Sequence, residues 1–66
     1  MSDEADPNRE IVIERLMERL EAFEVGIGLD YETTRHIVDR VITDMPLAAD
    51  DDRLARARNW MRIAST

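Results

Sequence analysis

Residues 23–31 read Phe23-Glu24-Val25-Gly26-Ile27-Gly28-Leu29-Asp30-Tyr31, and this stretch decides the fold. Apolar residues recur at helical spacing before it and again after it, and two glycines and an aspartate stand between. Glycine just past a periodic segment is a C-cap signal, because it takes the left-handed backbone without a steric cost. Aspartate just ahead of a segment is an N-cap signal, because its carboxylate accepts from the free N–H groups of the first turn. Gly26 therefore reads as the stop of one helix, Gly28 as a loosening of the turn, and Asp30 as the cap of the next. A connection this short folds two helices back on each other. Val25 to Leu29 is too short for a strand that has nothing to pair with, and no period-2 alternation occurs elsewhere.

Upstream, Asp6-Pro7 opens the first helix, since Pro fits a first helical position that needs no N–H. From Arg9 to Val25, residues Val12, Ile13, Leu16, Leu20 and Phe23 share one face at 100° per residue, with Met17 at its edge. Glu10, Glu14, Glu18 and Glu21 lie on another side. Downstream, Tyr31 to Met45 presents Tyr31, Thr34, Ile37, Val38, Val41, Ile42 and Met45 on a wide apolar face. Glu32, Arg35, His36, Asp39, Arg40 and Asp44 take the opposite side. Arg35–Asp39 and Arg40–Asp44 have i,i+4 spacing, worth about 0.2–0.5 kcal/mol per pair. Pro46 ends the helix by pushing the residue before it out of the α region. Ala48 to Asp52 reads as an acidic linker whose last aspartates cap a third helix, from about Arg53 to Ala64. Its apolar face is Leu54, Ala57, Trp60, Met61 and Ala64. Arg62 stands near its negative end, as the helix dipole prefers.

The expected fold is all-α: a helical hairpin plus a third short helix, a three-helix arrangement in one small domain over residues 1–66, with 1–7 flexible. A chain of 66 residues buries only about 60% of its unfolded surface and is marginal alone. Disulfides and thiolate metal sites are excluded, because there is no Cys. The single His makes a structural zinc site in one chain a poor expectation. Self-association is the remedy that remains, so a homo-oligomer, in the simplest form a homodimer, is expected. The expected core is Val12, Leu16, Leu20 and Phe23 with Val38, Val41 and Met45. Met17, Leu54, Trp60 and Met61, with Arg56, are the candidate partner surface. No apolar run is long enough to span a membrane, and the acidic start lacks the character of a secretory signal. A cytoplasmic protein without cofactors follows as the expectation.

Charge is divided along the chain. The net −6 separates into −6 over residues 1–30, −4 over 31–52 and +4 over 53–66, and every cation is Arg. A basic helix carrying Arg53, Arg56, Arg58, Arg62 and Trp60 thus follows an acidic body. Its arginines are expected to meet the Glu stripe of the first helix, within one chain or across a dimer. An acidic body would repel the phosphates that a nucleic-acid reading requires. Catalysis has little to work with: Ser2 and Ser65 lie at the ends, and His36 has no nucleophile evident beside it. His36 with Glu32 is half of a metal site at most. Asp50-Asp51-Asp52 lacks the spacing of a calcium loop. Gly26-Ile27-Gly28 follows a helix rather than a strand, which disqualifies it as a phosphate loop.

Residues Ile27 to Asp39 resemble the helix-turn-helix of lac-repressor-type regulators. Gly28, Leu29, Asp30, Tyr31, Thr33, Ile37 and Val38 match that pattern, whereas Glu24 and Thr34 depart from it. The resemblance implies that the second helix enters the major groove, with Tyr31, Thr33, Arg35 and His36 toward DNA. Two functions are therefore expected in order. The first is a small non-catalytic protein–protein interaction module, an adaptor, regulator, inhibitor or accessory subunit acting through amphipathic helices. The second is a DNA-binding transcriptional regulator using residues 31–45.

Overall fold

A computed structural model describes residues 7–66. It contains three helices: α1 (Pro7–Ile27), α2 (Tyr31–Asp44) and α3 (Asp50–Ala64). The expected Asp6 cap, and the flexibility expected of residues 1–6, lie outside the described residues. Pro7 is already helical.

The turn between α1 and α2 is built as the capping residues dictate, with one correction. Gly28, not Gly26, ends α1. Gly28 is left-handed at φ +78°. Its N–H donates to the Val25 carbonyl at 3.2 Å, and the Leu29 N–H donates to the Glu24 carbonyl at 3.2 Å. This is the Schellman arrangement, which satisfies the last carbonyls of the helix and turns an apolar residue, here half-buried Leu29, back onto the core. Gly26 is simply carried inside the last turn. Asp30 then caps α2 from an extended backbone (φ −89°, ψ 167°), its Oδ1 accepting from the Thr33 N–H at 3.1 Å.

α2 ends one residue earlier than its periodicity predicts. Met45 leaves the helix at φ −130° and closes the last turn by donating to the Val41 carbonyl at 2.8 Å. α3 begins earlier than expected. Ala49 occupies the cap without a side-chain bond, and Asp50, Asp51 and Asp52 form the first helical turn. Carboxylates there face the positive end of the helix, which favours them inside the turn as much as at the cap. The connection shortens accordingly to residues 45–49.

The helices run up, down and up. Near the base, Arg9 of α1 reaches Asp39 and Thr43 late in α2, so those two are antiparallel. Asp50 at the start of α3 pairs with Arg15, while Arg62 at its end lies over the Phe23 ring, so α3 runs in the sense of α1. Ten apolar side chains are buried between them: Ile13, Leu16, Met17, Leu20, Val38, Val41, Ile42, Leu54, Ala57 and Met61. Leu16, Leu20, Val38 and Val41 fulfil the expected core. Val12, Phe23 and Met45 sit at its margin, half-buried. Thr34 is fully buried on the apolar face of α2, its hydroxyl donating to the Asp30 carbonyl at 3.1 Å.

Candidate functional site

Three of the five residues assigned to a partner surface lie in the core instead. Met17 is 7% exposed, Leu54 6% and Met61 0%. The reason is that α3 inserts its whole Leu54–Ala57–Met61 edge between the other helices. The thin core of a hairpin therefore needs these residues internally. Trp60 and Arg56 remain outside. Trp60 is 47% exposed and covers one end of a groove of about 240 Å³ between α2 and α3. His36, Ile37, Arg40, Val41 and Asp44 line the rest of it. One turn before Trp60 stands exposed Arg56, and one turn after it Ile63, 57% exposed. Ile63 does not stand out in the sequence as a surface residue, because it lies off the Leu54–Ala57–Met61 edge that carries the apolar period of α3. Its spacing from Arg56 and Trp60 was the available signal.

A second groove, of about 450 Å³, runs between α1 and the start of α2. Glu14, Glu18, Glu21 and Glu24 line it, with Met17, Val25 and Tyr31. Val25 and Tyr31 are mostly exposed. These glutamates have no ion-pair partner among the described residues. The expectation that the arginines of α3 clasp this stripe within one chain is corrected by where those arginines go. Arg53 is buried, donating from Nε to the Met45 carbonyl at 3.1 Å and from a terminal nitrogen to the Pro46 carbonyl at 2.8 Å, with Asp50 at 3.6 Å. It binds the α2–α3 connection from inside. Arg62 lies 5.3 Å over the ring of Phe23. Arg56 and Arg58 have no ion-pair partner among the described residues.

The pairing that does occur ties helices together. Arg9 reaches Asp39 at 2.7 Å, Arg15 reaches Asp50 at 2.7 Å, and Arg35 reaches Glu10 at 2.9 Å. Of the two expected i,i+4 pairs only Arg40–Asp44 forms, at 3.3 Å. In the other, Arg35 and Asp39 each find a partner on α1. Both of these pairs are closer, at 2.7 and 2.9 Å, than the 3.3 Å of the i,i+4 pair. The Glu10 carboxylate raises the pKa of Arg35, through the hydrogen bond first and its charge second. Hydrogen bonding from Arg15 likewise lowers that of Asp50.

The residues assigned to DNA separate into two kinds. Tyr31, 55% exposed, and His36 face solvent. Thr33 gives its backbone N–H to the Asp30 cap, and Arg35 has its guanidinium on Glu10. Exposed Glu32 stands among them. Among the described residues no three His, Cys, Asp or Glu side chains gather as a metal-holding group. No helix among them is long and apolar enough to cross a membrane. Comparison with protein families, with curated proteins and with solved structures gives no match for this chain.

Proposed function

We propose that the protein is a small non-catalytic interaction module whose contact surface is the Arg56–Trp60–Ile63 edge of α3 and the groove beside it. The observation that supports this is Trp60 itself. A chain with one Trp and a ten-residue apolar core leaves that Trp nearly half exposed, next to exposed Ile63 and unpaired Arg56. Trp and Arg are the side chains that most often dominate binding energy in protein interfaces. The test is affinity capture from the native cell extract with the tagged wild-type chain beside Trp60→Ala and Arg56→Ala. Arg56→Ala should leave the melting curve nearly unchanged, while Trp60→Ala gives up the covered half of the indole and should lower it, so capture is compared well below both midpoints. The expected result is a captured protein lost in both variants. Capture unaffected by either one overturns the assignment.

The second reading is a DNA-binding regulator acting through α2, supported by exposed Tyr31 and His36 on a capped helix that follows a tight turn. It requires duplex binding that falls steeply with salt and weakens in Arg35→Ala. Absence of duplex binding at low salt removes it.

A further inference from the structure

Two ridges of this molecule match each other and cannot meet within one chain. On α1, Glu18, Ala22 and Val25 stand at i, i+4 and i+7, and all three are exposed. On α3, Arg56, Trp60 and Ile63 stand at the same spacing, also exposed. At 1.5 Å per residue each ridge spans about 10.5 Å. Laid side by side in the same direction, they bring Arg56 to Glu18, Trp60 over Ala22 and Ile63 to Val25. Ala22 leaves the room that an indole needs. Glu14 and Glu21 border the first ridge, and His36 and the Arg40–Asp44 pair border the groove beside the second. Within the chain α3 buries its Leu54–Ala57–Met61 edge and meets α1 through Arg62 on Phe23. The Arg56 ridge therefore points away from the Glu18 ridge of its own chain.

We propose that the protein associates head to tail, the Arg56–Trp60–Ile63 ridge of one copy docking on the Glu18–Ala22–Val25 ridge of the next. This rests on the interaction-module reading and names the partner as a second copy. Charge complementarity selects it: the acidic groove holds four glutamates without cations, and Arg56 is a cation without an acid. Because the two patches differ, the contact does not close on itself and propagates into open chains. One helix pair per contact is small beside the roughly 1,200–2,000 Å² of a stable interface, so the association is weak and reversible.

The test is sedimentation equilibrium of the purified chain and of two charge reversals at exposed positions, Glu18→Arg and Arg56→Glu. Concentrations from about 10 μM to about 1 mM cover weak association. For the wild type we expect an average mass that climbs with concentration without a plateau at two copies. It should drop toward the monomer as salt rises from about 50 to about 500 mM. Each variant alone should stay monomeric, since like charges then face each other. An equimolar mixture of the two, or the double variant in one chain, should associate again. A wild type that is monomeric throughout overturns the proposal, as does association that either single variant leaves unchanged or that the mixture does not restore. Monomeric behaviour combined with Trp60-dependent capture of another protein would remove the self-docking and leave the interaction-module reading intact. Loss of that capture dependence with self-association intact would confine the ridge to contacts between copies.

Discussion

Gly26 and Gly28 are two residues apart and do opposite things. Gly26 lies inside the last turn of α1, exposed, with nothing within 4 Å of where a Cβ would stand. There glycine only loosens the unfolded chain. Gly26→Ala should stabilise the fold by about 0.5–1 kcal/mol. Gly28 has equally open surroundings, but its φ of +78° strains any L side chain. Gly28→Ala should destabilise by about 1–2 kcal/mol. Paired urea titrations check the sign, and a stabilising Gly28→Ala would refute the Schellman turn. Arg53 is the other residue whose role is local. It is the one buried cation among the described residues, and it binds two carbonyls just past α2. Arg53→Ala removes both bonds, leaving the Met45 carbonyl only its Ala48 N–H partner, and should cost about 1–2 kcal/mol. The same truncation at exposed Arg56 should cost under about 0.5 kcal/mol. From the chain alone Arg53, Arg56 and Arg58 look alike. What separates them is the path of residues 45–49, which no local pattern encodes.

The start of α2 was legible because its capping chemistry sits in one side chain, and the end of α1 less so because it depends on which glycine takes the positive φ. Asp30 announced α2 correctly. Asp50 to Asp52 announced a helix start but not its register, since a carboxylate is favoured at the cap and throughout the first turn. The ion pairs follow the same division. Spacing along one helix suggested Arg35–Asp39, and the neighbouring helix took both residues. Element-scale stability therefore carries a pH dependence at the α2 cap. Hydrogen bonds from Thr33 hold the Asp30 carboxyl below its ordinary value. A lowered folded-state pKa contributes stability above the unfolded value of about 3.9, and that contribution disappears as pH falls through the folded value. Asn caps a helix about as well as Asp and does not titrate. Asp30→Asn should therefore melt close to the wild type at pH 7 and lose less on acidification to about pH 2. Melting curves at the two pH values decide it, and equal acid losses in the two chains would exclude Asp30 as a contributor. Asp50, lowered in the same direction by Arg15, leaves an acid-sensitive remainder in both.

For the molecule as a whole, the question is whether α3 decorates a hairpin or completes a core. In the sequence α3 reads as an addition to helices 1 and 2, with Met17, Leu54 and Met61 left over for a partner. The structure uses all three internally, and Met61 has no exposed surface at all. A helix appears separable when its apolar edge is judged by itself. The apolar faces of α1 and α2 do not fully cover each other, however, and α3 fills what they leave open. A chain ending at residue 49 would expose Leu16, Leu20, Val38 and Val41 together. It would also drop the Arg53 bonds that hold residues 45–46, and the Arg15–Asp50 pair. Isolated helices of this length are marginal in water without an apolar surface to rest on. The truncated chain should lose most of its far-ultraviolet helical signal at 25 °C and melt without a sigmoidal transition, while the full chain melts cooperatively. A cooperative transition in residues 1–49 would mean that the hairpin is the folding unit. Leu54 and Met61 would then be free to leave the core for a partner, and the surface assigned to binding would grow from the Trp60 edge to the whole of α3.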